Sequence, residues 1–302
     1  MRIAFAGTPE AAVPTLQALI NSEHEIAFVI TRPDAPKGRG RVLTPSPVAI
    51  EAEAAGLKII KTTDLAQLAN DVAGLDAVVV VAFGGLVPKS LLDTPKFGWI
   101  NLHFSLLPHW RGAAPVQHSI MAGDDVTGVT TFRIEESLDT GPMFAYLTTS
   151  IGKSETAGAL LDRLAIDGAG LALATLSGLE QGSMLPLAQS LEGVSYAPKI
   201  TTELAQINWQ DPALAIVRKI LAVTPAPGAW TQSSGERYKL MPVTLAPEVT
   251  DLKPGELSYQ ANEVFIGTGS HAVKVDQIQI PGKNFTDAAD WARNLKTNLV
   301  FA

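Results

Sequence analysis

The chain contains no cysteine. This excludes disulfides and thiolate metal sites and fits a cytoplasmic protein. No stretch approaches the ~20 continuous apolar residues of a membrane-spanning helix. The opening Met1-Arg2-Ile3-Ala4-Phe5 resembles a signal sequence only until Thr8-Pro9-Glu10 breaks it, so the start reads as a buried strand. Phosphate-binding loops are missing too. Gly7-Thr8-Pro9 lacks the G-x-G-x-x-G spacing of a dinucleotide site, and Lys37-Gly38-Arg39-Gly40-Arg41 is not followed by Gly-Lys-Ser/Thr. His24, His103, His109, His118 and His271 show no metal-ligand spacing, so no metal is expected. There is no internal repeat. The net charge of −7 speaks against nucleic acid as a partner of the chain at large. The acidic excess lies in the first ~200 residues and the last ~100 are close to neutral, so any RNA contact must come from a local basic cluster.

What is present suits two domains: 302 residues, 46% of them hydrophobic. The first half alternates strand and helix signals. Strands are expected at 3–6, 26–30, 57–60, 77–82, 99–103, 128–134 and 143–151. Helices are expected up to about Ile20, over 47–55, and over 154–178 with Ser154 as cap. The near-continuous valine run Ala77–Ala82 marks a strand buried on both faces. Such alternation implies an α/β domain, a Rossmann-like mostly parallel sheet covered by helices, with ligands bound beyond the carboxyl ends of its strands. The texture changes near Gly182. The pattern places a catalytic domain over 1–188, a linker over 189–205 and a smaller domain over 206–302. A helix is expected there at 211–223, followed by short strands at 229–232, 238–243, 256–258, 264–266 and 272–280. Their spacing predicts a small OB-like β-barrel.

The strongest chemical signal is Asn101-Leu102-His103-Phe104-Ser105-Leu106-Leu107-Pro108. Side chains alternate along a strand, so Asn101 and His103 share a face where the strand runs out into a loop. A lone histidine there is more often satisfied within a core. A carboxylate candidate follows, however, in Leu138-Asp139-Thr140-Gly141. Asp-x-Gly by itself is commonly a turn. Beside Asn101 and His103 it completes an amide, imidazole and carboxylate set suited to acyl-type transfer, with donors for an oxyanion and a group that handles protons.

Asn101-x-His103, Ser105-Leu-Leu-Pro108 and Gly128 through Leu138-Asp139-Thr140-Gly141 resemble the signature of folate-dependent formyltransferases. The block Ser105–Pro115, the early Phe5-Ala-Gly-Thr-Pro-Glu10 and Arg39-Gly-Arg-Val-Leu-Thr-Pro-Ser-Pro47 resemble the members of that family that act on charged initiator tRNA. The resemblance runs over essentially the whole chain. It implies 10-formyltetrahydrofolate as co-substrate and charged initiator tRNA as partner, with catalysis by Asn101, His103 and Asp139. It implies a folate pocket walled by Ser105, Leu106, Leu107, Pro108 and the backbone near Leu86 and Val87. It also implies an RNA-clamping loop in which Arg39 reaches bases while Arg32, Lys37 and Arg41 meet phosphates. No feature calls for an obligate protein partner. Three positions depart from the family pattern: Phe104 replaces a small residue, Phe83-Gly84-Gly85 stands where Tyr-Gly is common, and His109 replaces a basic residue. An enzyme formylating an amino-sugar nucleotide stays open on the same three catalytic residues. So does a catalytically silent RNA-binding protein, against which the intact set argues.

Overall fold

The computed structural model describes residues 1–38, 40–295 and 299–302. By contact density the chain divides into two compact units. The first comprises Met1–Pro115, Val126–Ser150 and Leu161–Ala197, and the second comprises Val116–Asp125, Ile151–Leu160 and Pro198–Ala302. Residues 189–197, which the sequence pattern assigns to a linker, are part of the first unit.

The first unit is built on a seven-stranded sheet. Five strands run parallel: Arg2–Gly7, Glu25–Thr31, Ile59–Lys61, Ala77–Val81 and Trp99–His103. Val126–Arg133 and Met143–Ser150 then add antiparallel beside Trp99–His103. The sequence dictates burial on both faces. Ala4, Ala6, Phe28, Ile30, Val78 and Val80 line one core cluster. The intervening Ile3, Phe5, Val29 and Val79 point the other way and are also buried. The helices Val13–Ile20 and Pro47–Ala54 contribute Leu16, Leu19, Val48 and Ala52 to the buried set. Ser46 caps the second of them, its hydroxyl accepting from Ala49 N at 3.0 Å.

The strand order fixes where ligands can go. From Arg2–Gly7 the chain lays two strands to one side, then crosses to lay Ala77–Val81 and Trp99–His103 on the other. The crevice beyond the carboxyl ends at this reversal is the ligand position of open α/β sheets. Gly7, the 82–88 loop and the segment after His103 all leave the sheet at that edge.

Local differences from the sequence reading have physical causes. The long helix runs over Ala157–Glu180, and its first turn is capped by Thr156 rather than Ser154, the Thr156 hydroxyl accepting from Ala159 N at 3.3 Å. The basic loop contains a short hairpin, Ala35–Lys37 against Val42–Thr44. The segment 272–280 is two strands, not one. Ala272–Val275 and Gln277–Gln279 belong to different sheets, because the chain crosses between them at Asp276.

The second unit is sheet-rich. The strands Trp230–Ser233, Glu236–Leu240, Gln277–Gln279 and Phe285–Asp287 form one four-stranded antiparallel sheet. Thr244–Ala246, Ala272–Val275, Glu263–Ile266 and Leu257–Gln260 form the other. Two hairpins turn on residue pairs with positive φ, Ser234-Gly235 and Ala261-Asn262, the backbone that tight two-residue turns require. The helix Ala213–Ala222 buries Ile216 and Ile220 in the core these strands share. Among the described residues the strand pairing yields two sheets and no closed barrel.

Candidate active site

Strand Trp99–His103 pairs with Val126–Arg133 so that Asn101 lies opposite Phe132 and His103 opposite Thr130. Asn101 is half-buried, whereas His103 is buried. The chain then enters a tight loop. Ser105 Oγ donates to His109 O at 2.6 Å, His109 N donates to Leu106 O at 3.0 Å, and the Leu107–Pro108 peptide is cis. Thr130 ties the loop to the sheet, donating to Ser105 O at 2.7 Å and accepting from Leu107 N at 3.3 Å. The loop returns Trp110 O to the imidazole, 2.9 Å from His103 Nε2. A carbonyl can only accept, so Nε2 carries the hydrogen and the neutral ring presents its Nδ1 lone pair on the other side.

That other side faces Asp139. Its Oδ2 lies 3.9 Å from His103 Nδ1, an ion-pair distance rather than a hydrogen bond. The same oxygen accepts from Gly112 N at 2.7 Å. Asp139 sits with φ at 52°, an uncommon backbone for a residue with a side chain. The turn is held from a distance: Gln189 Nε2 donates to Asp139 O and to Gly141 O, both at 2.8 Å. Gln189 Oε1 in turn accepts from Arg111 Nε at 3.1 Å and Nη2 at 2.6 Å. Arg111-Gly112 pairs in parallel with Tyr196-Ala197, and Ser195 Oγ accepts from Trp110 N at 2.9 Å.

Burial holds the His103 pKa below its ordinary value, while the Asp139 charge and the Trp110 carbonyl push it back up. The ring is therefore neutral at rest and gains its second proton only when one is delivered. Both N–H groups of that imidazolium would then face acceptors, Trp110 O and Asp139 Oδ2. The depressed pKa also makes a stability prediction. Between the folded and unfolded pKa values the unfolded chain binds more protons, so acid favours unfolding. The contribution of neutral His103 is fully present above the unfolded value near 6.5 and is lost as pH falls through the lower folded value. Urea unfolding at about pH 7.5 and about pH 5.5 should show a larger acid loss in the wild type than in His103→Gln. Equal losses would contradict a buried neutral imidazole.

The remaining sequence-predicted residues fall into place as follows. Ser105 is fully buried and spends its hydroxyl on the loop itself. Leu107 and Pro108 are buried and Leu106 half-buried. Leu86 is exposed, while Val87 packs on the core cluster that contains Phe83. The 82–88 loop leaves its strand through positive φ at Ala82 and Gly84. Arg32, exposed after the second parallel strand, donates from Nη2 to Gly84 O at 2.7 Å, so the basic and 82–88 loops touch. Lys37 lies 4.0 Å from Glu10 with both side chains exposed, a contact of little stabilising weight. Arg41 is exposed at a positive φ of 49°. Arg39 lies outside the described residues. Sequence reasoning missed Trp110 O, Thr130, Arg111, Gly112 N–H, Gln189 and Ser195. Trp110, Arg111 and Gly112 lie within the block Ser105–Pro115 that carries the resemblance, but no local pattern gives them or the other three a role. Among the described residues no group of three or more His, Asp or Glu could hold a metal ion. Nor is any described helix long and apolar enough to cross a membrane.

An amide and an imidazole share one strand face, and a carboxylate is held against the imidazole at the carboxyl edge of an open α/β sheet. This is an arrangement for acyl-type group transfer. Residues 1–175 match the formyl transferase family and residues 199–296 match that family's C-terminal domain, so the chain belongs to the formyl transferases. It is 53% identical to methionyl-tRNA formyltransferase from Streptomyces avermitilis, over 98% of this chain and 97% of that one. It is 49% identical to the enzyme of that name from Thermobifida fusca, over 98% and 97% respectively. Solved structures share the fold. The sugar 3N-formyl transferase WlaRD superposes with a TM-score of 0.71 at 20% identity, covering 94% of this chain and 99% of that one. HypX from Aquifex aeolicus in complex with tetrahydrofolic acid superposes with a TM-score of 0.66 at 20% identity over 96% of this chain, which spans 46% of HypX.

Proposed function

We infer that this chain transfers the formyl group of 10-formyltetrahydrofolate to the free amino group of methionine esterified to initiator tRNA, giving formylmethionyl-tRNA for translation initiation. The observation that carries this reading is the His103–Asp139 contact at the carboxyl edge of the sheet. It sits in a chain that matches a methionyl-tRNA formyltransferase over 98% of its length.

The residues fit the donor. Its flat ring system needs apolar walls and backbone hydrogen-bonding groups. Leu106 and Val87 offer the first, and the positive-φ turns of the 82–88 loop, with Gly84 and Gly85, leave backbone unshielded by side chains. The chemistry then follows from the site. An α-amino group has a reference pKa of about 7.7 to 8.0, so a useful fraction is neutral near pH 7. Its nitrogen attacks the formyl carbon and negative charge develops on the formyl oxygen. The Asn101 amide donates to that oxygen. The amine proton passes to His103 Nδ1, directly or through the Asp139 carboxylate, and the imidazolium is stabilised by Asp139 Oδ2. Its positive charge then supports the oxyanion, whose hydrogen-bond donor is the Asn101 amide. Return of the proton to the folate nitrogen completes departure of the carrier as the new C–N bond is kept. The arrangement fixes this division of roles: Nε2–H is committed to Trp110 O, and the hydrogen gained on Nδ1 faces Asp139 Oδ2.

We further propose that the hairpin loop meets the tRNA. Lys37 and Arg41, both exposed, and Arg32, through N–H groups not used on Gly84 O, would contact phosphates, with Arg39 reaching bases. We also take the two C-terminal sheets, which share one core, as the halves of an OB-like barrel that contacts the tRNA. The test is formylation of charged initiator tRNA by the purified protein with the folate donor, as a function of salt. Lys37→Ala and Arg41→Ala should each weaken tRNA binding and reduce the salt slope by about one. Arg39→Leu should slow formylation and leave donor binding intact. Formylation of an amino-sugar nucleotide but not of the tRNA would replace the tRNA reading with the sugar one.

A further inference from the structure

We propose that Gln189, aimed by Arg111, is a positioning residue for the Asp139 carboxylate. The proposal rests on the reading of Asp139 as the carboxylate that handles the proton. Its basis is the hydrogen-bond logic of three distant chain segments. The carbonyls of Asp139 and Gly141 flank the turn in which Asp139 takes its left-handed backbone, and both accept from one nitrogen, Gln189 Nε2. This uses both hydrogens of the amide. The amide cannot be reversed. Arg111, 7% exposed, sets two N–H groups on Oε1, and a guanidinium can only donate. The oxygen must therefore face Arg111 and the nitrogen must face the turn.

Residue type at 189 is chemically specific. Glutamate would satisfy the buried guanidinium better, because charge-assisted pairs are stronger. Only an amide can accept from Arg111 and donate to two carbonyls at once. The next residue after Arg111 closes the circuit, Gly112 N donating to Asp139 Oδ2. Two consecutive residues thus hold the carboxylate directly on one side and, through Gln189, the backbone that carries it on the other. Two residues before Gln189, Leu187 exchanges both backbone hydrogen bonds with Met143 at 2.8 Å, which anchors the Gln189 segment beside the turn. Loss of the Nε2 donor leaves the carbonyls of Asp139 and Gly141 without this partner, and the turn shifts enough for Oδ2 to leave the line to His103 Nδ1.

The deciding experiment is Gln189→Glu, alone and combined with Asp139→Asn. Glutamate keeps the length and the acceptor for Arg111 but sets an oxygen against the two carbonyls. Expected is a fall in kcat of about 10- to 100-fold, the scale of an active-site misplacement of about an ångström. KM for the folate donor and for charged tRNA should change by less than about twofold. In the Asp139→Asn background the same substitution should cost almost nothing further, since the group it positions is already gone. A merely structural role gives the same proportional loss in both backgrounds, and that result overturns the proposal, as does wild-type kcat in Gln189→Glu. Gln189→Asn, which keeps the amide but is too short to span both partners, gives the same readings if the glutamate variant does not fold. If neither variant folds, Gln189 is a folding determinant and the proposal is overturned. Wild-type kcat in Asp139→Asn alone would instead refute the carboxylate's role, whatever Gln189 does.

Discussion

Asp139→Ala, His103→Ala and Asn101→Ala are each expected to lower kcat by about 100-fold or more, the scale for losing an oxyanion donor or a proton-transfer group, with the fold retained. The three losses have different origins. Without Asn101 the oxyanion loses the donor available from the start of the reaction. Without His103 the amine proton has no acceptor beside Asp139. Without Asp139 a buried imidazolium must form with no counter-charge, in a place where burial already opposes it. The fold survives because the strand Trp99–His103 is held by backbone pairing to both neighbours, which the substitutions leave alone. Single-turnover kinetics with charged tRNA, alongside thermal melting, checks both halves. Near-normal turnover in all three folded variants would remove the mechanism.

Gly141→Ala should be more damaging than its single methyl group suggests. A Cβ at this position would run into the carbonyl oxygen of Arg133. That oxygen belongs to the end of the strand Val126–Arg133, where Arg133 N is also bonded to Pro142 O at 2.9 Å. Neither side can yield cheaply, because both are backbone. Gly141 O is also one of the two acceptors of Gln189. The substitution is therefore expected to cost about 2–3 kcal/mol of stability, as overpacking does. It should also lower kcat by on the order of 100-fold through the displaced Asp139 turn. Urea denaturation and initial rates measure the two effects. A stable Gly141→Ala variant with wild-type kcat would show that the turn tolerates displacement and that its tight fit to the strand end is irrelevant to the chemistry.

The boundary between what was legible and what was not runs through particular residues. The valine run at 77–81 announces a strand buried on both faces, and it is one, beside Arg2–Gly7 at the reversal of strand order. Ser154 looks like a helix cap, yet Thr156 takes that role, because several residues near a helix start offer a hydroxyl and only the backbone path selects among them. The run of 272–280, in which Val273, Val275, Ile278 and Ile280 recur between polar residues, reads as one strand. The chain breaks it at Asp276, because the two halves pair in different sheets, and apolar pattern carries no information about partners. Short strands in sequence predicted a barrel; among the described residues the pairing gives two sheets that share one core.

By itself the sequence determined the alternating strand–helix order and the sharing of one strand face by Asn101 and His103. It also determined the carboxylate in the turn before Gly141 and the family to which these belong. These are local properties, set by side-chain period and by motif spacing of a few residues. Only the tertiary structure decided that Asp139 lies 3.9 Å from His103 Nδ1 and that Nε2 is committed to Trp110 O. It also decided that Gln189, 50 residues beyond Asp139, holds the turn that carries the carboxylate. Each of these depends on chain segments brought together by packing, and the geometry of such meetings is a property of the whole fold that no local pattern encodes.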